Sequence, residues 1–167
     1  MVPAQLQGLA PLVSPATRVL ILGSFPGWRS LQMQQYYAHP QNQFWRILQA
    51  IWPSSPHEIS ADSYEYRSAW LLERGLGLWD VYACCEREGS LDSAIRNPQP
   101  NDIASLQLPN LCAIAHNGGE SFKHARHTRS LGVPVYQLPS TSPANASWSF
   151  ERKLAAWRAV MQEHGLV

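Results

Sequence analysis

Hydrophobic residues cluster in four short runs along the chain, and longer stretches separate these runs. The runs occupy residues 18–24, 76–82, 111–117 and 133–139. Short runs that are apolar throughout are typical of strands buried on both faces, which occur in parallel sheets with helical crossovers. The pattern therefore predicts an α/β fold with a central parallel sheet.

Three of the intervening segments place apolar residues at the spacing of an amphipathic helix. Residues 41–52 carry an apolar face, and residues 149–165 carry a similar stripe. Residues 62–75 begin at a side chain that can cap a helix, Asp62 or Ser63. We predict one helix in each segment.

Two proline-containing segments, residues 52–58 and 96–102, are predicted as loops. The balance of 45% hydrophobic and 15% charged residues is that of a globular protein. A length of 167 residues fits one core, so we expect a single domain over residues 1–167.

Composition also excludes several functional classes. The sequence has no run of about 18 apolar residues and no signal-peptide pattern at its N-terminus, so we expect a cytoplasmic protein without a membrane partner. Its three cysteines lack the spacing of a zinc or iron-sulfur site, and no metal or other cofactor is predicted. A net charge of +1 argues against extended electrostatic coating of nucleic acid.

Polar segments rich in glycine or proline follow the predicted strands. The first strand runs into GSFPG at residues 23–27, and the second ends at Trp79 and Asp80. The third ends in HNGGES at residues 116–121, and the fourth runs into LPSTSPANA at residues 138–146. Because ligands bind outside the carboxyl ends of parallel strands, these four corners predict one site.

The turn GSFPG matches neither of two common glycine-containing motifs. It lacks the Lys-Ser/Thr ending of a phosphate loop and the Gly-x-Ser-x-Gly spacing of a nucleophile elbow. Its proline and two glycines instead bring the backbone close to a neighbour, where main-chain N–H groups can hold a carbonyl oxygen or a water.

Taken together, GSFPG, the following YYAHPQNQFW and the later LPSTSPANA resemble the motifs of the uracil-DNA glycosylase superfamily, most closely its hypoxanthine-DNA glycosylase branch. The resemblance extends over residues 18–150. It implies a three-layer α/β/α fold around four parallel strands. It also implies a monofunctional DNA glycosylase that hydrolyses the N-glycosidic bond of deaminated bases in base-excision repair. The implied substrate is chiefly hypoxanthine, with xanthine second, in double-stranded and also single-stranded DNA, and the enzyme is expected to act as a monomer.

The resemblance implies a base pocket with Ser24 and Phe25 as its floor. Tyr37 stands where the superfamily stacks an aromatic ring on the extruded base, although a buried, hydrogen-bonded Tyr is the structural alternative. Asp80 stands where uracil-specific relatives place an Asn. A carboxylate only accepts hydrogen bonds, so it would attract the N1–H of hypoxanthine and repel the N1 lone pair of adenine. The alternative is a plain strand-end Asp.

Catalysis is assigned to Asn42. Other branches carry an Asp or Asn at the position of Phe25 to hold the attacking water, and a phenyl ring cannot replace it. Asn42 is expected at the start of the next helix, where its carbonyl can orient water and its amide can bond the base or sugar. Its competing role is to cap that helix. His39 is a candidate donor to the departing base, or else stabilises its loop.

The resemblance also implies a DNA-binding surface formed by the last two corners. Hydroxyl side chains there suit phosphate contacts, and the residues after them are expected to enter the minor groove. Ser140 replaces a histidine that some branches use to stabilise the leaving group, and Ala144 is small for a wedge. The predicted DNA-binding residues are Asn117, Ser140, Thr141, Ser142, Pro143, Ala144 and Asn145.

Three other functions remain compatible with these residues. One is uracil or mismatch excision on the same scaffold. Another is a catalytically silent module that binds damaged DNA, which the substitutions at Phe25 and Ser140 would suit. The third is hydrolysis of free nucleosides or nucleotides, which would not need the Ser-Thr-Ser-Pro loop.

Overall fold

The computed structural model describes residues 4–55, 59 and 63–167. This part of the chain forms seven strands and six α-helices. The strands are β1 Gln5–Gln7, β2 Val19–Gly23, β3 Leu76–Asp80, β4 Tyr82–Glu86, β5 Arg96–Pro100, β6 Ala113–Asn117 and β7 Val135–Leu138. The helices are α1 Trp28–Met33, α2 Phe44–Ile51, α3 Tyr64–Glu73, α4 Gly119–Phe122, α5 Ala125–Arg129 and α6 Phe150–Glu163.

Strand β2 lies in the middle of the main sheet. It pairs in parallel with β3 on one side and with β6 on the other, and β7 pairs in parallel with β6. The strand order β3-β2-β6-β7 confirms the four-stranded parallel sheet. All residues of β2 and β6 are buried, as expected for inner strands that are covered on both faces.

Hydrophobic cores on both faces of the main sheet give the molecule three layers, which confirms the predicted fold class. Val19 and Ile21 face the first core, which packs against α2, α3 and α6. Leu20 and Leu22 face the second core. This second face is covered by α4, α5 and a smaller antiparallel sheet of β1, β4 and β5.

Helices α2, α3 and α6 lie within the three segments predicted as helical. The Ser63 hydroxyl accepts a hydrogen bond from Tyr66 N at 3.2 Å and so caps α3. Ser149 caps α6 in the same way. Asp62, the other predicted cap of α3, lies outside the described residues, as do residues 56–58 of the first predicted loop.

The prediction of a loop at residues 96–102 is wrong, because Arg96–Pro100 form β5. This strand pairs antiparallel with β4 at the edge of the smaller sheet, and all its residues are exposed. Proline is tolerated at an edge, where part of the backbone needs no ladder donor. Pro98 and Pro100 therefore hid the strand in the sequence without preventing its pairing.

The parallel order places the carboxyl ends of β2, β3, β6 and β7 at one edge of the main sheet. The four polar corners predicted from the sequence therefore meet there. Within the described ranges, no helix has the length and apolar character that crossing a membrane requires.

Candidate active site

A cavity of about 990 Å³ opens at this edge of the sheet. Its walls come from the turn after β2, the segment between α1 and α2, the ends of β3 and β6, the segment after β4 and the loop after β7. It is lined by every residue assigned to the site from the sequence: Ser24, Phe25, Tyr37, His39, Asn42, Asp80, Asn117, Ser140, Thr141, Ser142, Pro143, Ala144 and Asn145. The structure thus brings the predicted set around one space, while the chemical role of each member stays a prediction.

Tyr37 forms an aromatic wall of the cavity. Its ring stacks on Phe44, with centroids 4.1 Å apart and an interplanar angle of 22°. Its hydroxyl accepts a hydrogen bond from Asn117 Nδ2 at 3.1 Å. The backbone at Tyr37 is left-handed, with φ of 55°, which is rare for a bulky residue and persists only where surrounding contacts hold it. The ring orientation is therefore imposed by its neighbours.

Gly23, the last residue of β2, lies beside the side chains of Asp80 and Tyr37. A Cβ atom at this position would lie 2.5 Å from Asp80 Oδ1 and 3.3 Å from the Tyr37 hydroxyl oxygen. The first of these distances is shorter than real Cβ contacts allow. Glycine at the end of the first strand is therefore what lets the Asp80 carboxyl and the Tyr37 hydroxyl share the cavity floor.

Asp80 ends β3 and carries a carboxyl that is only 5% exposed. Within the described structure its Oδ2 atom has no hydrogen-bond partner. Burial raises the pKa of Asp80 to about 7, the nearby Asp92 carboxyl adds to this, and the Arg87 guanidinium opposes it. Leaving a buried acceptor unsatisfied costs about 1–3 kcal/mol. The site therefore holds a buried acceptor that the protein itself does not fill.

Asp92 is a cavity residue that the sequence analysis missed. Its Oδ1 accepts a hydrogen bond from the Ser24 hydroxyl at 2.6 Å. Burial raises the pKa of Asp92, and the bond from Ser24 works against that rise. Asp92 lies in the connection between β4 and β5, which has no hydrophobic periodicity and no motif. Only the three-dimensional path of that connection reveals its position.

Arg87, from the same connection, fixes the turn that forms the floor. Its Nη2 donates to Pro26 O at 2.7 Å, and its Nε donates to Gly89 O at 2.9 Å. Its guanidinium also lies 5.3 Å from the centre of the Phe25 ring. Cation–π contacts of this kind add to the hydrogen bonds and hold the phenyl ring in place.

Asn42 lines the cavity, two residues before α2 begins at Phe44. Its Oδ1 accepts a hydrogen bond from Phe44 N at 3.0 Å, so the side chain does bond the helix start. A carbonyl oxygen has a second lone pair, and the structure records no bond from the Asn42 amide within the described residues. The N-cap of α2 is Gln43, so Asn42 is not the cap, but this bond fixes the direction of its side chain and leaves capacity for water or nucleotide.

His39 stabilises the turn that leads to Asn42. Its Nδ1 accepts from Gln41 N at 3.1 Å, and its carbonyl oxygen accepts from Asn42 N at 3.0 Å. An Nδ1 that accepts leaves the ring proton of neutral histidine on Nε2. His39 therefore stabilises its own loop, which was the alternative role considered for it, and its Nε2–H can still donate a hydrogen bond.

Asn117 ends β6 and connects two walls of the cavity. Its Nδ2 donates to the Tyr37 hydroxyl and to Thr141 Oγ1, at 3.1 and 3.0 Å, and its Oδ1 accepts from Thr141 N at 3.0 Å. These bonds use both amide hydrogens inside the protein. Asn117 thus positions Tyr37 and Thr141, and a direct phosphate contact by this side chain stays a prediction.

The loop after β7 is shaped by its own hydroxyl groups. Ser140 Oγ accepts from Ser142 N at 3.1 Å, and Ser142 Oγ accepts from Ala144 N at 3.2 Å. Asn145 Nδ2 donates to Ser140 O at 3.1 Å. Pro143 and Ala144 remain exposed at the tip. The loop therefore presents a short, preformed turn beside the cavity.

The described residues contain no group of three or more His, Cys, Asp or Glu side chains placed to hold a metal ion. The side chains that line the cavity include amide, carboxyl, hydroxyl and aromatic groups. These groups can orient water, accept a hydrogen bond from a base edge and stack on a ring.

Comparison with known proteins identifies the family. The model of the Uracil DNA glycosylase superfamily matches residues 10–161, and the chain belongs to this superfamily. The match confirms the resemblance seen in the sequence motifs.

Two curated relatives are similar over nearly the whole chain. A protein of Methanosarcina barkeri named hypoxanthine DNA glycosylase is 35% identical over 153 residues, which is 90% of this chain and 94% of that protein. One of Methanosarcina acetivorans with the same name is 34% identical over 158 residues, or 93% and 98% of the two chains. Among solved structures, a solution NMR structure of a candidate uracil DNA glycosylase from Methanosarcina acetivorans superposes with a TM-score of 0.85. It is 33% identical and covers 97% of this chain and 99% of its own.

Proposed function

We propose that this protein is a monofunctional DNA glycosylase that hydrolyses the N-glycosidic bond of hypoxanthine, and secondarily of xanthine, in deaminated DNA. The observation that carries the proposal is the buried Asp80 carboxyl. Its Oδ2 has no partner within the described structure, and it lies in the same cavity as Tyr37. The names of the Methanosarcina relatives support the same activity.

Asp80 provides a physical basis for choosing hypoxanthine over adenine. Hypoxanthine carries a hydrogen on N1, whereas adenine has a lone pair there. An ionised carboxylate accepts the hydrogen and repels the lone pair. A site built around a buried acceptor discriminates strongly, because the wrong base leaves that acceptor unpaired. Guanine shares the N1–H and has to be refused by crowding at its amino group.

Tyr37 provides the stacking surface for the everted base. Phe44 covers one face of its ring, so the face toward the cavity is the one that a base can use. Extruding a base costs a few kcal/mol, and stacking on an aromatic ring returns about 1–3 kcal/mol. The left-handed backbone and the bond from Asn117 set the ring before the base arrives, which reduces the entropy lost on binding.

Asn42 is the group that orients the attacking water in this proposal. As the glycosidic bond breaks, the sugar gains positive character and the purine leaves with negative charge. The second lone pair of Asn42 Oδ1 accepts from water, while the amide donates to the sugar or base. Nε2 of His39 supplies a second donor near the mouth. An amide does not act as a base, so positioning carries the rate acceleration.

The loop after β7 is proposed to hold the DNA backbone beside the lesion. The Ser140, Thr141 and Ser142 segment offers hydroxyl and main-chain N–H groups for phosphates, and Pro143 to Asn145 approach the minor groove. Among the described residues that line the cavity, none is a lysine. The proposed reaction therefore stops at base release, without a Schiff base or strand cleavage.

The decisive experiment measures base release from duplexes that contain inosine, xanthosine, uracil or only normal bases. Wild-type protein is expected to release hypoxanthine fastest. Asn42→Ala should lower that rate about 100-fold or more, because preorganised amide groups contribute on that scale. Asn42→Ser is the sharper variant, since serine can still accept the bond from Phe44 N and preserve the helix start. It should lose activity with little change in stability.

A matched control is Asn110→Ala. Asn110 is an exposed asparagine before β6, at the opposite end of the strands from the cavity, and its amide bonds Pro15 O. This variant should keep wild-type activity. Fast release of uracil with slow release of hypoxanthine would favour the uracil-specific alternative. Tight binding of inosine DNA without any release would favour the silent binding module.

A further inference from the structure

Two large apolar side chains stand exposed at the rim of the cavity. Trp28 is 61% exposed and Leu91 is 58% exposed, and both line the opening. Among the described residues, the other exposed large hydrophobic side chains are Met33 and Val167, which do not line it. We refer to Trp28 and Leu91 as the rim pair. Exposed apolar residues gathered at the mouth of a site, rather than scattered, mark a contact surface.

The rim pair belongs to two loops that hydrogen bonds hold together. Trp28 N donates to Ser90 Oγ at 2.9 Å, immediately beside Leu91. One residue further, the Asp92 carboxylate accepts from Ser24 at 2.6 Å. Arg87 anchors the same two loops through Pro26 O and Gly89 O. The backbone under both side chains is therefore fixed, and their exposure is a property of the fold.

The loop after β7 lines the cavity with one large ring, Trp148, which is only partly exposed and has the Arg152 guanidinium 4.2 Å from its ring centre. The loop after β7 carries Pro143 and Ala144 at its exposed tip. A base that leaves the duplex opens a slot about 3.4 Å thick between its neighbours. Architectural proteins fill such slots with apolar wedges, and a planar aromatic ring can stack on both exposed bases. A methyl group on Ala144 is too small for that task, whereas an indole matches the slot in thickness and area.

We propose that Trp28 enters the stack from which the target base has been turned out, and that Leu91 packs beside it against the neighbouring nucleotide in the minor groove. This inference rests on the proposed function, because it places an everted base in the cavity. The rim pair and the pocket floor then lie on the same two hydrogen-bonded loops. Trp28 then fills the gap in the DNA in the same binding step in which the pocket floor contacts the base.

The first test compares duplex and single-stranded substrates. Trp28→Ala should lower kcat/KM for hypoxanthine release from duplex DNA about 10- to 100-fold, because one stacking contact is lost. It should change release from single-stranded inosine DNA less than about twofold, since no stack has to be refilled. Trp28→Phe should keep most of the duplex activity, and Leu91→Ala should show a smaller loss. Met33→Ala, an exposed apolar side chain on the same helix but off the cavity, is the matched control.

A second test does not depend on catalysis. The probe is a duplex with a non-cleavable 2′-fluoro analogue of deoxyinosine and with 2-aminopurine as the neighbouring base. Wild-type protein and Asn42→Ala should both change the fluorescence of 2-aminopurine on binding, because Trp28 contacts this neighbouring base. Trp28→Ala should bind the duplex without that change. Equal loss of activity on duplex and single strands, or an unchanged fluorescence response in Trp28→Ala, overturns the inference. A response that depends on Trp28 without any base release would retain the stacking role of Trp28 and refute the proposed function.

Discussion

Two buried ionisable side chains lie near the ends of the strands that flank β2, and they differ in whether their polar atoms have hydrogen-bond partners. His116, in β6, is fully buried, and its two ring nitrogens lie 2.8 Å from Ser121 Oγ and 2.9 Å from Thr128 Oγ1. Asp80, at the end of β3, is almost as buried, yet within the described structure its Oδ2 has no partner. The histidine faces short helices, and the carboxyl faces the cavity.

The difference separates a polar group that serves the fold from one that we propose serves a ligand. The Ser121 hydroxyl donates onward to Leu22 O at 2.7 Å, so the histidine network fastens α4 and α5 to the central strand. A fully satisfied network of this kind rigidifies a core. An unsatisfied carboxyl costs stability instead, and such costs are retained where function needs them.

The largest expected effect comes from Gly23→Ala. The new methyl group would collide with Asp80 Oδ1 and crowd the Tyr37 hydroxyl, displacing both groups from the cavity floor. Hypoxanthine release should fall about 100-fold or more, because a misplacement of about 1 Å has effects of that size. Chemical denaturation should show a loss of stability that is partly recovered in the double variant Gly23→Ala/Asp80→Ala, where the clash with the carboxyl is removed. Additive losses in the double variant would refute the steric explanation.

The second effect concerns stability rather than activity. His116→Leu removes the partner of two buried hydroxyl groups, so the free energy of unfolding should fall by about 1–3 kcal/mol at pH 7, with unchanged release per folded molecule. Burial lowers the pKa of His116 to about 4, so the unfolded chain binds this proton first as the pH falls. Wild-type stability from this source should decline as the pH drops from about 6.5 toward 4. The variant should lack that decline in urea titrations.

The smallest effect is expected from Asp80→Asn, and it has the opposite sign. Because the folded pKa of Asp80 is raised to about 7, the folded state holds the proton more tightly, and wild-type stability from this group falls as the pH rises from about 4 to 7. A neutral amide avoids this loss, so the variant should exceed wild type by about 1–2 kcal/mol at pH 8 and by little at pH 4. Its hypoxanthine release should be about tenfold slower. A variant less stable than wild type at pH 8 would contradict the hypothesis that the Asp80 carboxyl costs stability and is retained for ligand binding.

The sequence predicted the strands that are apolar throughout and the helices whose apolar residues recur at helical spacing. The apolar residues that these elements bury form patterns that are visible in the sequence alone. The elements found in this way are strands β2, β3, β6 and β7 and helices α2, α3 and α6. The site residues were accessible because parallel strands deliver their carboxyl ends to one edge, so each motif could be placed without coordinates. Asp80 was placed in this way, whereas Tyr37 was assigned from the resemblance to the superfamily's motifs.

The missed features depend on contacts between distant segments without periodicity. Arg87, Ser90 and Asp92 lie in a polar connection that folds back over the turn after β2. Arg87 bonds that turn, and Ser90 and Asp92 line the cavity. Strand β5 was missed because its pairing partner, rather than its own composition, determines its conformation. The bonding of the Asn117 amide to Tyr37 and Thr141 likewise joins residues far apart in the chain.

The edge strand β5 has a consequence for how copies of this protein behave at high concentration. An open strand edge invites another chain to add its own strand, which is a common start of aggregation. Two of the five β5 residues, Pro98 and Pro100, have no N–H to offer, and the strand starts with the charged Arg96. The smaller sheet is thereby a poor template for the addition of another strand.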